Sequence, residues 1–442
     1  MKFTADSALF KGAYTISPMN GMANLPWVYS DSKTEFLACR ETAWLGTNLN
    51  LTPIFDISGP DAAKFFNQTC VNKDFSVMKP GQSKHAIICN EKGKMLADGV
   101  VMKKEDGSYR TYWMAPVIQY FMLKSGLDVE GTYLDNEYFF QIDGPKSLEI
   151  LEEATQTDLH DIKFARNKTV KICGTDMVVH RLGMSGALAY EVHGDAENAE
   201  MVYTVLRDTV EKYGGKPLGC LNYAILNHTP AGYPNQLQHY AYALLSGDAD
   251  LAEFAKKYCM MFPLAGSAAV NPEDCERTPY DVGWGYLVNF DHEFIGKEAL
   301  LEAKQKKEKT AVTLEWNTED VGDVFMSQFR GTDVEPYDVI HTVSVQDDAT
   351  SLTTRCDYVL VDGKKIGVAS GRTYAYYERR MISLAFIDTE YANEGQEVVV
   401  LWGNPDSPKK EIRATVARFP YYNGEFRNET FDTEKIPHPV FK

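Results

Sequence analysis

A strand–turn–helix pattern that occurs twice constrains the fold of this chain more than any other feature. The segments "FDISGPDAAKFFNQ" (55–68) and "FQIDGPKSLEILEE" (140–153) each place a short apolar strand before Gly-Pro and a helical pattern. A third segment, "YEVHGDAENAEMVYTVL" (190–206), keeps the strand, the glycine and the helix but lacks the proline. The repetition predicts α+β layers, with internal duplication as one origin.

The turn residues of the two closest copies support this interpretation. Gly59 and Gly144 suit the turn between strand and helix, because glycine tolerates backbone angles that other residues avoid. Pro60 and Pro145 suit the first helical position, where a missing N–H is no loss.

The pattern changes to β structure after residue 310. "DYVLVDGKKIGVAS" reads as a hairpin with Asp362-Gly363 at its turn, and alternating segments precede and follow it. Several strands and almost no helix predict a C-terminal barrel or sandwich. We therefore expect an α+β region of two subdomains over 1–305 and a β-barrel domain over 310–442. Within the first of these regions, the irregular, aromatic-rich segment 211–275 is typical of a functional loop.

The chain has 442 residues and a formal net charge of −17. The length favours two or three packed units, and the acidic balance disfavours nucleic acid or an anionic membrane as a partner. No apolar run approaches the roughly 20 residues of a membrane span. The eight cysteines include no C-x-x-C pair, which is typical of reduced thiols in a cytoplasmic protein. The sequence does not indicate the oligomeric state.

Three potential metal ligands stand in a row at Asp291, His292 and Glu293. Adjacent side chains cannot all face one ion in a strand or a helix, so we expect no metal site there. Asp291 is better interpreted as lying close to the start of the helix that follows.

Five stretches together resemble the glycine-cleavage T-protein (aminomethyltransferase) superfamily. They occur in the family's order from about residue 40 to residue 422 and read "GQSKHAIICNEKGKMLADGVV" (81–101), "GALAYEVHG" (186–194), "TPYDVGWGYLVNFDHEFIGKEAL" (278–300), "GVASGRTYAYYERRMISLAFID" (367–388) and "IRATVARFPYY" (412–422). The resemblance implies a three-domain cloverleaf around a central folate site, with a β-rich third domain.

Departures from the T-protein pattern narrow the resemblance. T-proteins carry two consecutive aspartates where this chain reads Ala97-Asp98, and an arginine where a loose alignment places His228. The long aromatic segment 220–262 and the stretch 27–46 look like the tetrahydrofolate-dependent aryl O-demethylases of the vanillate/3-O-methylgallate and syringate type. That likeness implies transfer of a methyl group from a methoxylated aromatic substrate to tetrahydrofolate. An aminomethyl or small methyl donor, or a non-catalytic folate-binding role, remain the alternatives.

The resemblance also implies residues that contact the folate. The carboxylate of Glu191, in the Tyr190-Glu191 pair, can accept two hydrogen bonds from the pterin ring; the alternative is a solvent-facing strand residue. Asp98 either contacts folate or caps a turn. His85 lines the cleft or is a surface residue, and His228 is placed by alignment alone.

The remaining expectations concern chemistry and substrate. A tyrosine has a pKa matched to a phenolate leaving group, and the relatives use one in the long loop, which makes Tyr240 and Tyr242 candidates. Either could instead be a core aromatic residue. The substrate candidates, by position, are Tyr29, Asn48, Trp113 and Met114. Met114 stands where vanillate-type relatives carry a carboxylate-binding arginine, so we expect poor activity on vanillate and an aryl ring that is neutral or recognised by hydrogen bonds.

Overall fold

The computed structural model describes residues 7–17, 25–47, 54–240, 242–257, 263–341 and 353–441. The strands within these ranges are β1 Thr15–Ser17, β2 Leu25–Val28, β3 Trp44–Thr47, β4 Ile54–Ser58, β5 Ser83–Cys89, β6 Met95–Lys103, β7 Tyr109–Tyr112, β8 Glu130–Leu134, β9 Glu137–Asp143, β10 Asn167–Ile172, β11 Thr175–His180, β12 Ala189–Asp195, β13 Lys216–Leu218, β14 Leu264–Ala265, β15 Lys309–Trp316, β16 Thr354–Val361, β17 Lys364–Ala375, β18 Arg380–Asp388, β19 Glu397–Trp402 and β20 Lys410–Ala417. The α-helices are α1 Ser32–Glu41, α2 Ala62–Thr69, α3 Val117–Lys124, α4 Ser147–Thr155, α5 Ala199–Lys212, α6 His228–Ala231, α7 Tyr242–Ser246, α8 Ala249–Lys256, α9 Lys297–Lys306 and α10 Thr318–Ser327.

The repeated strand–turn–helix segments fold as β4–α2 and β9–α4. Gly59 and Gly144 adopt φ of 114° and 132°, and a Cβ at either would lie 2.5 or 2.4 Å from a backbone carbonyl oxygen of a neighbouring segment. Glycine is therefore required at both turns. The expected position of the prolines is wrong. The helices begin two residues after Pro60 and Pro145, so each proline belongs to the turn.

Two sheets share one connection order, as duplication predicts. The five-stranded sheet has the order β5-β6-β7-β4-β8, and the six-stranded sheet has the order β10-β11-β12-β9-β3-β13. Across each sheet, three consecutive strands (β5–β7 or β10–β12) are followed by the strand that precedes the Gly-Pro turn (β4 or β9). The sheets meet where the Tyr112 ring of β7 lies 4.9 Å from the His193 ring of β12.

The C-terminal strands close into a six-stranded barrel. The order is β16-β17-β18-β15-β20-β19, and β19 pairs back onto β16. Asp362 and Gly363 form the hairpin turn with φ of 50° and 75°, as predicted. Helix α10 was not predicted. The Asn317 side chain caps its first turn, and Val324 packs into the barrel core. Helix α9 ends three residues before β15 begins, at the place expected for the domain boundary, which stays a prediction.

The region 211–275 contains more helix than expected. It includes short α-helices and two π-helical segments, Asn222–Leu226 and Gln236–Tyr240. π-Helical turns occur frequently at functional sites. Across the described part of the chain, none of the helices is long and apolar enough to cross a bilayer.

Candidate active site

A cleft lies between the two sheets and the π-helical region. The residues that line it are His85, Asp98, Gly99, Val100, Trp113, Leu182, Gly183, Met184, Glu191, Tyr223, His228, Tyr233, Pro234, Asn235, Gln236 and Leu237. The glycines allow close approach: a Cβ at Gly99 would lie 2.1 Å from the Tyr112 carbonyl oxygen, and one at Gly183 would lie 2.2 Å from the Ala189 Cβ.

A chain of polar contacts runs along one side of the cleft. The Tyr233 hydroxyl lies 3.4 Å from His85 Nδ1, and His85 Nε2 lies 2.7 Å from Asp98 Oδ2. The Tyr240 hydroxyl donates to the other oxygen of Asp98. With Asp98 ionised, His85 donates through Nε2 and accepts at Nδ1, so the chain can pass a proton between Tyr233 and Asp98.

Burial controls the protonation of two other groups at this side of the cleft. Burial raises the pKa of Tyr233 well above its usual value, so this hydroxyl keeps its proton at neutral pH. Burial lowers the pKa of His228 to about 4, and His228 Nδ1 lies 3.0 Å from the Tyr233 carbonyl oxygen. His228 is therefore a neutral imidazole that fixes the backbone beside Tyr233.

Glu191 faces the cleft from β12, with buried histidines beside it. His180 Nδ1 and His193 Nε2 lie 3.4 and 3.7 Å from Glu191 Oε2. Burial opposes ionisation of Glu191, but the contacts to the two histidines outweigh it and lower the pKa to about 2. The cleft therefore contains a carboxylate that is ionised throughout the physiological pH range.

Aromatic and aliphatic side chains form the opposite wall. The rings of Trp113 and Tyr223 stack with centroids 6.5 Å apart, and the Trp113 ring meets Phe139 edge-on. Trp113 has φ of 71°, an uncommon conformation for a tryptophan and one that clusters at ligand sites. Leu182, Met184 and Leu237 lie close by, and the wall suits a flat apolar ligand.

A buried carboxylate anchors the π-helix that carries Tyr223. Glu35 in α1 is fully buried and accepts four hydrogen bonds. The backbone N–H groups of Tyr29 and Ser30 donate to Oε1 at 2.6 and 3.0 Å. The backbone N–H of Gly219 and the side-chain amide of Asn222 donate to Oε2 at 2.8 and 2.9 Å. Because Asn222 begins the π-helix, Glu35 sets the position of the next residue in the cleft.

The lining carries no lysine or arginine among the residues that the structure describes. Arg110 is engaged elsewhere: it pairs with Asp56 at 2.8 and 2.9 Å and with Glu137. The cleft is therefore acidic and apolar.

The structure brings five of the predicted site residues together: His85, Asp98, Trp113, Glu191 and His228 all line the cleft. Whether each contacts a ligand stays a prediction. Asn48 lies outside the described residues.

Five other predicted residues do not line this cleft. The Tyr240 hydroxyl contacts the cleft residue Asp98, and both Tyr240 and Tyr242 border a separate small hollow beside Cys275. Tyr190 packs in the core on the opposite face of β12 from Glu191, because successive strand residues alternate. The hydroxyl of Tyr29 donates to the carbonyl of Leu9. Met114 packs in the core behind Gly99.

Sequence reasoning missed the two tyrosines that do line the cleft, Tyr223 and Tyr233. Both lie in the aromatic region 211–275 that was expected to be functional, but neither stood out among 25 tyrosines. The signal that could have found Tyr233 is its Gly-Tyr-Pro setting, which indicates a turn that exposes a side chain.

The chain matches known proteins over its whole length. The family model described as the GCVT N-terminal domain matches residues 9–233. Sesamin methylene transferase from a Sinomonas species is 43% identical over 99% of this chain and 98% of that protein. Syringate O-demethylase from a Sphingobium species is 28% identical over 91% of both chains. The chain therefore belongs to the GCVT family and is an enzyme of that family.

A solved structure supports the same assignment of fold. Glycine cleavage system aminomethyltransferase T from Bartonella henselae superposes with a TM-score of 0.66 at 16% sequence identity, covering 96% of this chain and 98% of that chain. The predicted α+β cloverleaf fold with a β-rich C-terminal barrel is confirmed.

Proposed function

We propose that this enzyme transfers a one-carbon group from an aryl ether to tetrahydrofolate, and that O-demethylation of a neutral methoxylated arene is its reaction. The observation that carries the proposal is the cleft itself. It combines an ionised carboxylate, an aromatic wall and a tyrosine–histidine–aspartate chain in one space. The likeness to relatives named for methylene transfer and for O-demethylation supports the same reaction class.

The residues present fit a reduced pterin. Glu191 lines the cleft, and the amide oxygen of Gln141, which lies opposite it on β9, is a buried acceptor without a hydrogen-bond partner among the described residues. A carboxylate can accept from a ring N–H and an amine together. Bound tetrahydrofolate would supply the nucleophilic N5 amine, so the protein needs no nucleophile of its own.

The series of polar contacts from Tyr233 through His85 to Asp98 can provide the proton that the leaving group needs. As the bond between the methyl carbon and the aryl oxygen breaks, the electron pair stays on that oxygen as a phenolate, and a bond to nitrogen forms at the methyl carbon. Tyr233 can donate its proton to the phenolate, and the proton released at nitrogen can restore the Tyr233 hydroxyl, which His85 and Asp98 hold in place. The proton released at nitrogen balances the one taken up by the phenol. Tyr240, one of the two candidates for the acid, would then act by orienting Asp98.

The charge of the cleft favours a neutral substrate. A carboxylated ring such as syringate or vanillate would lie near Asp98 and Glu191 with no lysine or arginine in the described lining to pair with it, and an unpaired charge in a desolvated site is unfavourable. A neutral arene would gain the aromatic wall without this penalty.

A second candidate is methylene transfer from a methylenedioxy arene. The higher identity to the sesamin methylene transferase, 43% against 28% for the syringate demethylase, favours it. Two carbon–oxygen bonds break in that reaction, two carbon–nitrogen bonds form, and two protons pass from nitrogen to the catechol oxygens. Transfer from an aminomethyl or small methyl donor, and folate binding without catalysis, remain the alternatives to both.

The test is anaerobic incubation with tetrahydrofolate and four kinds of compound: neutral methoxyarenes, their carboxylated analogues, sesamin, and dimethylsulfoniopropionate as a small methyl donor. Phenol and folate products are identified by mass. We expect a methylated folate from a neutral methoxyarene at more than tenfold the rate for its carboxylated analogue. A methylene product from sesamin alone would select the second candidate, and folate binding without transfer from any compound would refute both.

Replacement of the tyrosines tests the role of the polar chain. Tyr233→Phe should lower kcat by about 10²–10⁴-fold, the usual effect of losing an acid catalyst. Tyr242→Phe, outside the cleft, is the matched control and should leave kcat within about twofold. An active Tyr233→Phe enzyme with an inactive Tyr240→Phe enzyme would instead support Tyr240 as the acid.

A further inference from the structure

A line of buried and half-buried charged groups connects the two sheets. From the first sheet, Arg110 pairs with Asp56 at 2.8 and 2.9 Å and reaches across to Glu137 on β9. The Tyr112 hydroxyl donates to the other oxygen of Glu137 at 2.9 Å. On β12, two residues from Glu191, His193 places Nδ1 3.4 Å from Glu137 Oε1.

His193 thus lies between two carboxylates. Its Nδ1 faces Glu137 and its Nε2 faces Glu191 Oε2, at 3.4 and 3.7 Å. Both are ion-pair distances, longer than a close hydrogen bond. His193 is only 2% exposed, and neither ring nitrogen has another hydrogen-bond partner among the described residues. A neutral imidazole would direct a lone pair at one of the carboxylates, which is repulsive, whereas the doubly protonated ring can donate to both.

The charge balance of the cluster points the same way. Asp56, Glu137 and Glu191 are three acidic groups, and Arg110 contacts only the first two. Lys104 adds a contact to Asp56 at 3.0 Å, on the outer side. Without a charge on His193, Glu191 would be a buried carboxylate with no cation beside it except a protonated His180, and isolated buried charges are strongly disfavoured.

We propose that His193 is a positioning residue that bridges Glu137 and Glu191 as an imidazolium, and so keeps the Glu191 carboxylate ionised with its other oxygen directed to the ligand in the cleft. The inference deepens the proposed function and rests on it for the identity of the ligand. The bridge itself is a property of the protein alone.

The groups around His193 act on its charge in opposite directions. Burial lowers the pKa of His193, but Glu137 and Glu191 outweigh burial and raise it above the usual value. Arg110 and His180 face the cluster from β7 and β11, and Tyr112 packs its ring against the imidazole. Because each ring nitrogen of His193 faces a carboxylate oxygen, the cationic form is favoured.

The bridge can be tested without folate. Protein with ¹⁵N-labelled histidine is measured by NMR from pH 5 to 9, and the His193 resonances are assigned by their loss in His193→Gln. We expect both ring nitrogens to remain protonated above pH 7. A neutral tautomer at pH 7 would overturn the proposal. So would a stoichiometric metal ion that a chelator removes, since His180, Glu191 and His193 place their ligand atoms within 4.8 Å of one another.

The positioning role is tested by binding of 5-methyltetrahydrofolate, measured by calorimetry at pH 5 to 8. Wild-type affinity should be nearly flat with pH, because Glu191 stays ionised. In His193→Gln the buried Glu191 loses its cation and takes up a proton more readily, so affinity should fall at least tenfold as the pH is lowered from 8 to 5. His438→Gln, at an exposed histidine, is the matched control.

A second variant covers the case in which His193→Gln does not fold. Glu137→Gln removes the distant carboxylate of the bridge and keeps its shape, and it should produce the same pH-dependent loss of affinity to a smaller degree. Unchanged affinity and pH dependence in these variants would refute the positioning role. No binding by the wild-type protein would instead refute the proposed function, with the NMR result still deciding the bridge.

Discussion

Replacement of Glu35 by glutamine offers a quantitative test of how the π-helix that begins at Asn222 is held. Glutamine keeps the shape of the side chain but replaces one acceptor oxygen by an NH₂ group. Two of the four N–H donors around this side chain would then face the new NH₂ group instead of an acceptor oxygen. The pairs are either the N–H groups of Tyr29 and Ser30, or those of Gly219 and Asn222.

The magnitude follows from the number of stranded donors. A buried donor left without an acceptor destabilises a protein by about 1–3 kcal/mol, so two should give about 2–6 kcal/mol. Since about 1.4 kcal/mol corresponds to a factor of ten, the local opening equilibrium should rise by about 30-fold or more. Displacement of Tyr223 from the cleft should raise KM for the aryl substrate as well.

Hydrogen exchange followed by mass spectrometry measures this opening directly in peptides that cover residues 27–36 and 216–223. Protection of at least one of these peptides should fall by the predicted factor. Glu41→Gln, an exposed position on the same helix with the same change of charge, is the control and should leave protection unchanged. Protection within threefold of wild type in both peptides of the Glu35→Gln variant would refute the account of this anchor.

Three further predictions follow from the cleft and its support. Glu191→Gln should weaken binding of 5-methyltetrahydrofolate by about 10- to 150-fold, equivalent to one charge-assisted hydrogen bond of about 1.5–3 kcal/mol; calorimetry measures the affinity, and a change below threefold would contradict the role of this carboxylate. Gly99→Ala should destabilise the protein by about 1–3 kcal/mol, because its Cβ would overlap the neighbouring strand, and an unchanged melting temperature would contradict that packing. Burial raises the pKa of Asp143 to about 8, so the folded state binds a proton that the unfolded state releases near pH 4. Stability should therefore fall as the pH rises from about 4 to about 8, by up to about 1.4 kcal/mol per pH unit, and Asp143→Asn should flatten that part of the urea-denaturation profile.

Local rules were sufficient for much of the architecture. The turns at Gly59 and Gly144, and the Asp362-Gly363 hairpin, depend on backbone angles that few residues accept, so their positions can be read from the chain. The face of β12 that carries Glu191 follows from the alternation of strand residues. Helix α10 could not be read in the same way, because a helix that packs on a barrel is stabilised mainly by that contact.

The acid–base chemistry depended on longer-range arrangement. Tyr233 and Tyr240 lie seven residues apart in one aromatic segment, and nothing local distinguishes them. The tertiary structure decides that Tyr233 lines the cleft and that Tyr240, at the end of the π-helical segment Gln236–Tyr240, contacts the cleft residue Asp98.

By itself, the sequence determined the repeated strand–turn–helix units, the β-rich C-terminal region, the resemblance to the aminomethyltransferase superfamily and the place of Glu191. Only the tertiary structure decided which aromatic residues form the cleft, that Arg110 is occupied, and that His193 lies between Glu137 and Glu191. The reason is physical. Turn angles and strand alternation are properties of neighbouring residues, whereas the charge and contacts of a buried side chain depend on groups that folding brings from distant parts of the chain.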